Sequence, residues 1–223
     1  MKFSERLYEK VKPVWKQTHE HPFVKGMGEG TLEQDKFRFY MVQDYVYLID
    51  YAKLFALGAV KATDVQIMGK FAALLHSTIN EEMELHRQYA KRFLITPEEL
   101  ETAEAAPTTL AYTHYMLHVS QNGTLAELVA ALLPCMWSYW EIGKELRTKP
   151  GAKHELYSEW IHMYSSAEFG ELATWCIDLM DQLAEGKSEA DLTKLEEIFI
   201  NTTRFEYLFW DMAYEKAMWP VHV

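Results

Sequence analysis

Apolar residues recur at intervals of three and four along almost the whole chain, and this spacing restricts the fold more than any other property of the sequence. A helix of 3.6 residues per turn brings such positions onto one face, whereas a half-buried strand needs strict alternation. Extended alternating runs and hairpin dipeptides are absent, so the expected class is all-α. The 223 residues suit a single domain spanning 1–223 better than two, since no linker, repeat or low-complexity segment divides them.

Caps and breakers divide the pattern into helices. The first runs from Phe3 to Thr18, with a kink expected at Pro13, and the segment HPFVKGMGEG reads as a loop. Thr31 and Gln34 form a capping-box pair that opens a helix to Lys61. Thr63 or Asp64 caps the next, which continues to Phe93. Thr96, Pro97, Glu98 and Glu99 start a short helix that ends before Pro107. Another spans Thr108 to Gln121 and stops at Asn122 and Gly123. Thr124 and Glu127 make a second capping box, whose helix reaches Arg147 before Lys149, Pro150 and Gly151 break it. Helices over Lys153–Tyr164, Ala167–Ala184 and Ser188–Met218 complete the chain.

Charge removes several kinds of partner. Lys and Arg number 22 against 33 Asp and Glu, a net charge of −11, so phosphate backbones and anionic membranes are repelled. No apolar run approaches the length of a bilayer span, and the start MKFSERLYEKVK lacks the apolar region of a signal peptide. A soluble, cytoplasmic protein is expected. The two cysteines, Cys135 and Cys176, make neither a disulfide framework nor a metal cluster, and both are expected to be reduced.

Three groups of residues have chemical potential. Cys135 follows Pro134 in the apolar run LAELVAALLPCMWSYW and shares a helical face with Tyr139. It reads either as a small core residue or as a nucleophile, and a mid-helix thiol must be activated by neighbouring side chains rather than by the helix dipole. Tyr40, Asp44, Tyr47 and Tyr51 also share one face. They read as a half-buried helix surface, or as a wall that offers a carboxylate to an amine-bearing heterocycle. Glu206 lies on a helix with Phe199, Phe209 and Trp210 near its face. Desolvation there would raise its pKa and suit proton transfer near neutrality; otherwise it is a surface glutamate. Alone, Tyr112, Tyr164 and Phe169 read as packing.

A di-metal oxidase is the competing enzymatic reading, because helical bundles hold two irons with glutamates and paired Glu-x-x-His motifs. Glu82 and His86 lie four residues apart, and Glu159 with His162 forms one Glu-x-x-His. The second such motif is missing, so no metal is expected. A non-enzymatic regulator or small-molecule carrier is the alternative outside catalysis, although an acidic chain without a clear helix-turn-helix is poorly suited to DNA.

The segments HPFV, QDYVYL, ALLPCMWSYWEIG, YSSAEF and FEYLFWDMAY occur in this order over nearly the whole chain. With them the sequence resembles the thiaminase II (TenA-like) family. The resemblance implies a haem-oxygenase-like helical bundle, assembled as a homotetramer and working without haem, metal or other cofactor. It further implies hydrolysis of an aminopyrimidine to 4-amino-5-hydroxymethyl-2-methylpyrimidine in thiamin salvage. The substrate would be the 5-aminomethyl compound or thiamin itself. By motif position, Cys135 is similar to the family nucleophile, Glu206 to its acid and base, and Tyr112 to the residue that orients the thiol. Asp44 corresponds to the anchor of the pyrimidine amino edge. Tyr47, Tyr139 and Tyr164 correspond to pocket tyrosines, and Phe209 to a ring that stacks on the substrate.

Overall fold

The apolar periodicity becomes a succession of helices within residues 2–221, the part of the chain described by the computed structural model; the expected domain 1–223 also includes Met1, His222 and Val223, which lie outside it. Helix α1, Phe3–His19, runs unbroken through Pro13. The loop expected next is instead helix α2, Pro22–Glu29. Pro22 occupies the first turn, where its missing N–H is not needed, His21 Nδ1 accepts from Phe23 N–H, and Gly30 ends the helix at φ 75°. Burial of Phe23, Val24 and Met27 outweighs the poor helix propensity of two internal glycines.

Helix α3, Gln34–Lys61, begins at Glu33 without a side-chain cap. Thr31 does not form the expected capping box, because its N–H and that of Leu32 turn back to the carbonyl of Gly26. Asp64 does cap helix α4, Val65–Ser77, accepting from Gln66 and Ile67. The single helix expected as far as Phe93 is divided by a π-helical turn at Thr78–Glu82 before helix α5, Met83–Arg92. Helices α6, Pro97–Glu101, and α7, Pro107–Asn122, follow. The boxes at Thr96/Glu99 and Thr124/Glu127 both form as expected, the second opening α8, Leu125–Leu146. A 3-10 turn at Pro150–Lys153 and an irregular stretch precede α9, Ser158–Tyr164, so the helix expected from Lys153 starts later. Helix α10 is Ala167–Ala184, and α11, Glu189–Glu215, is capped by Ser188 and closed by Lys216 at φ 51°.

The least polar of these sequences is central. Helix α8 is apolar on nearly all sides, with residues 126–134 all buried, and it packs against α3, α7, α9, α10 and α11. Helix α3 lies beside it and also contacts α4, α5, α7 and α11. One hydrophobic core joins residues from α1 to α11. Among the described residues there is no strand, and no helix is long and apolar enough to cross a membrane. The polar side chains enclosed where α3, α7, α8, α9 and α11 meet form the candidate site.

Candidate active site

Helix α3 directs one whole face inward: Tyr40, Asp44, Tyr47 and Tyr51 are all 3% exposed or less. The half-buried surface considered from sequence is therefore a fully buried wall. Tyr40 donates to Asp44 Oδ2 at 3.0 Å, Trp160 Nε1 donates to the Tyr40 hydroxyl at 3.2 Å, and the Tyr139 hydroxyl lies 3.3 Å from it. The ring of Tyr40 stacks on Trp210 at 5.3 Å. The Tyr40 hydroxyl thus ties the enclosed carboxylate of α3 to Tyr139 of α8 and Trp160 of α9.

The most important partner of Asp44 is His86, which sequence reasoning had considered only as a possible metal ligand. His86 Nε2 lies 2.7 Å from Asp44 Oδ2, and its Nδ1 is 2.8 Å from the carbonyl of Glu82. A carbonyl only accepts, so Nδ1 carries a proton, and Nε2 can donate to the carboxylate only in the imidazolium form. Burial works against that charge, but the hydrogen bond and charge of Asp44 outweigh it and raise the His86 pKa. The geometry is thus a buried ion pair behind the aromatic wall.

On the opposite side, Glu206 is 3% exposed and accepts from the Tyr112 hydroxyl at 2.5 Å. The surface alternative for this glutamate is excluded. Burial raises its pKa to about 8, against the acidifying hydrogen bond of Tyr112. Burial and the nearby Glu206 charge also push the Cys135 thiol well up. A thiol in this setting is unionised at neutral pH, and a base must take its proton as sulfur attacks. Tyr112 holds Glu206, while the Tyr47 hydroxyl lies 3.9 Å from Met116 Sδ.

Cys135 is half-buried because it borders a cavity of about 100 Å³, together with Tyr164, Glu82, Tyr51, Met136 and Phe169. At ~10–15 Å³ per enclosed water, the space suits roughly ten heavy atoms, the size of one substituted six-membered ring. Of the eight residues singled out by family resemblance, Cys135 and Tyr164 line this space. Asp44, Tyr47, Tyr112, Tyr139, Glu206 and Phe209 are closed off directly behind them, each less than 5% exposed. The Phe209 ring meets Tyr40 and Tyr47 edge to face at 6.1 and 5.6 Å. Tyr164 donates to Glu82 Oε1 at 2.7 Å, and burial raises the Glu82 pKa to about 7. Sequence reasoning gave Glu82 no part in this site; the signal present was its spacing from His86, four residues on the same helical face.

The groups considered for a di-metal centre are occupied or dispersed. Both ring nitrogens of His86 are taken, Glu159 pairs with Arg92, and His162 is exposed. Among the described residues, no three His, Cys, Asp or Glu side chains are grouped to hold a metal ion. Cys176 is fully buried against Met136 Sδ at 3.5 Å, away from water.

Comparison with known proteins agrees with this architecture. A sequence model of the TENA/THI-4/PQQC family matches residues 8–216. The chain is 56% identical to a protein named aminopyrimidine aminohydrolase from Halalkalibacterium halodurans, with 98% of both chains covered. The solved structure of a TenA homologue protein from P. horikoshii superimposes with a TM-score of 0.87 at 30% identity, covering 96% of this chain and 99% of that one. A domain from Shewanella denitrificans, described as having a heme oxygenase-like fold, superimposes with a TM-score of 0.73 at 14% identity, covering 95% and 92%. At that identity the likeness is one of fold alone, and the fold is the one expected.

Proposed function

The chain belongs to the TENA/THI-4/PQQC family, and from that premise we propose that it is an aminopyrimidine aminohydrolase acting in thiamin salvage in the cytoplasm. Its substrate is 4-amino-5-aminomethyl-2-methylpyrimidine, or thiamin, and its product is the 5-hydroxymethyl compound. The observations that carry this reading are Cys135 on the wall of a cavity of single-ring size and, in the aromatic chamber behind it, Glu206 held by the Tyr112 hydroxyl at 2.5 Å.

The roles follow from these surroundings. Both hydrogen bonds to Asp44 fall on Oδ2, which leaves Oδ1 to accept from the exocyclic amine of the pyrimidine. Glu206, in its ionised form, takes the proton of Cys135 as sulfur bonds to the ring carbon beside the one that carries the methylene arm. The ring loses its aromaticity, and the arm can release its amine, which takes the same proton from Glu206. Water then adds at the methylene, giving a proton back to Glu206, and departure of sulfur restores the ring. Two moderate barriers replace one large one. Tyr112 keeps Glu206 in line, Tyr47 and Tyr139 shape the chamber, Tyr164 closes the cavity side, and Phe209 supplies an aromatic surface for the ring.

Replacing Cys135 with serine removes the nucleophile while leaving a near-isosteric side chain. Turnover of the aminomethyl compound should fall by at least about 100-fold, with unchanged helical circular dichroism. Near-wild-type turnover by Cys135→Ser would remove the covalent route. Wild-type kcat/KM measured side by side on the two substrates then identifies the preferred one.

The reading includes assembly as a homotetramer. Helix α4 is more apolar than its own packing requires, with Val65 82% and Met68 43% exposed and Ile79 in the π turn 41% exposed. Such a patch suits contact with a second copy. Sedimentation equilibrium should give four times the chain mass; a monomer mass at micromolar protein would refute it.

A further inference from the structure

Glu82 has no role in the chemistry above, yet it lines the same cavity as Cys135 and Tyr164. It is the last residue of the π turn Thr78–Glu82, a wide turn of the kind that recurs at functional sites. Its carboxyl meets the Tyr164 hydroxyl at 2.7 Å, while its carbonyl accepts from His86, whose other nitrogen meets Asp44. One residue therefore joins the cavity wall to the buried ion pair. Burial lifts the Glu82 pKa to about 7, so near neutrality it retains a proton that an ordinary glutamate has lost.

An aminopyrimidine requires such a proton. When sulfur bonds to the ring carbon, the electron pair of the carbon–nitrogen double bond moves onto the adjacent ring nitrogen. That nitrogen becomes basic, and it lies on the other side of the attacked carbon from the methylene arm. Glu206 is engaged with the thiol and the arm, so it cannot serve both places. The other carboxyls lining the cavity, Glu81 and Glu168, are exposed.

We propose that Glu82 is a second acid of this site, passing its proton through the Tyr164 hydroxyl to the ring nitrogen next to the carbon that Cys135 attacks. The proposal rests on the aminopyrimidine reading of the substrate. Bound substrate turns the Tyr164 O–H from Glu82 Oε1 to the ring nitrogen, so that protonated Glu82 donates to the phenol oxygen; as the sulfur–carbon bond forms, the thiol proton goes to Glu206, the ring nitrogen takes the Tyr164 proton, and Tyr164 takes that of Glu82. When sulfur leaves, the carbon–nitrogen double bond re-forms, the nitrogen returns its proton to Tyr164 and Tyr164 to Glu82, and sulfur regains a proton from Glu206.

The productive form has Glu82 protonated and Glu206 ionised. Activity therefore rises as Glu206 loses its proton near 8 and falls as Glu82 loses its own near 7, giving a narrow bell between those values. The ionisable groups facing Glu82 are Asp44 of α3, His86 of α5, Cys135 of α8 and Tyr164 of α9, with Glu81 beside it and Glu168 of α10 across the cavity.

The test is the pH profile of kcat/KM on the aminomethylpyrimidine for wild type, Glu82→Gln, Glu82→Asp and Tyr164→Phe. Glu82→Gln should lower kcat about 100-fold and abolish the alkaline limb, while calorimetric affinity for the hydroxymethyl product stays within about threefold. Glu82→Asp should restore part of the rate together with that limb. Tyr164→Phe should lose the same limb, and it supplies the answer if Glu82→Gln does not fold. An alkaline limb that survives in Glu82→Gln, or in Tyr164→Phe where the first cannot be made, overturns the proposal whatever the rate. Absence of turnover by the wild-type protein overturns the substrate reading itself, and this proposal with it.

Discussion

Asp44 and Glu206 are both buried carboxyls, but their neighbours set them apart. Asp44 is held by the His86 ring and the Tyr40 hydroxyl, so it suits a fixed anchor. Glu206 meets a phenol and lies near the Cys135 thiol, and burial raises its pKa to about 8, so it can gain and lose a proton. Asp44→Asn withdraws the counter-charge of His86 as well as an acceptor for the substrate amine. It should cost about 3 kcal/mol of stability and abolish calorimetric binding of the hydroxymethylpyrimidine. Glu206→Gln should bind that product within about threefold of wild type while single-turnover hydrolysis falls about 100-fold. Normal product binding by Asp44→Asn, or normal turnover by Glu206→Gln, would contradict this division. The face of Asp44 was legible because four inward residues repeat at helical spacing. His86 was not, since the sequence offers no sign that a residue 42 positions away will meet that carboxylate.

Local codes were read well wherever they act alone. Helix α10 has the bounds expected from its caps, and the boxes at Thr96 and Thr124 form as their sequences imply. Failures occurred where tertiary contact outweighed local preference: α2 is helical because its apolar residues are buried, and Thr31 serves the end of α2 rather than the start of α3. Gly143 on α8 illustrates the same dependence between elements. A Cβ there would lie 2.6 Å from the carbonyl carbon of Tyr164 and 2.8 Å from the nitrogen of Ser165, so the absence of a side chain lets α9 sit against α8. Because the obstacle is backbone, relief requires α9 to move and Tyr164 with it. Gly143→Ala should cost about 1–3 kcal/mol in thermal or urea unfolding and weaken product binding together with kcat. A variant with unchanged stability and activity would mean that α9 is free to shift.

At the scale of the molecule, the site has a cost that depends on pH. Glu206 and Glu82 have pKa values raised from 4.5 to about 8 and about 7. Between the unfolded and folded values the native state holds protons that the unfolded chain releases, so the stability these groups contribute is complete below about 4.5 and is lost as pH rises through 7 and 8. His86, also raised, acts in the same direction, whereas His21, lowered by burial, opposes it below about 6.5. Urea unfolding should therefore lose about 1 kcal/mol per pH unit from each carboxyl between pH 5 and 7. Glu206→Gln should flatten that slope; a slope unchanged by the substitution would contradict the burial of its proton. The chain length, helical class and charge were open to sequence reasoning. The enclosure that makes Glu206 a weak acid, and the cavity wall that raises Glu82, were not, because they are built by helices that meet only in the fold. The π turn at Thr78–Glu82 adds a constraint of a different kind. Each residue advances a helix by about 100°, so the extra residue resets the phase between Phe71 and Leu74 on one side and Glu82 and His86 on the other. A relative one residue shorter here could keep every site residue in its alignment and still point its counterpart of Glu82 away from the cavity, which makes the length of this segment a marker of chemistry independent of its letters.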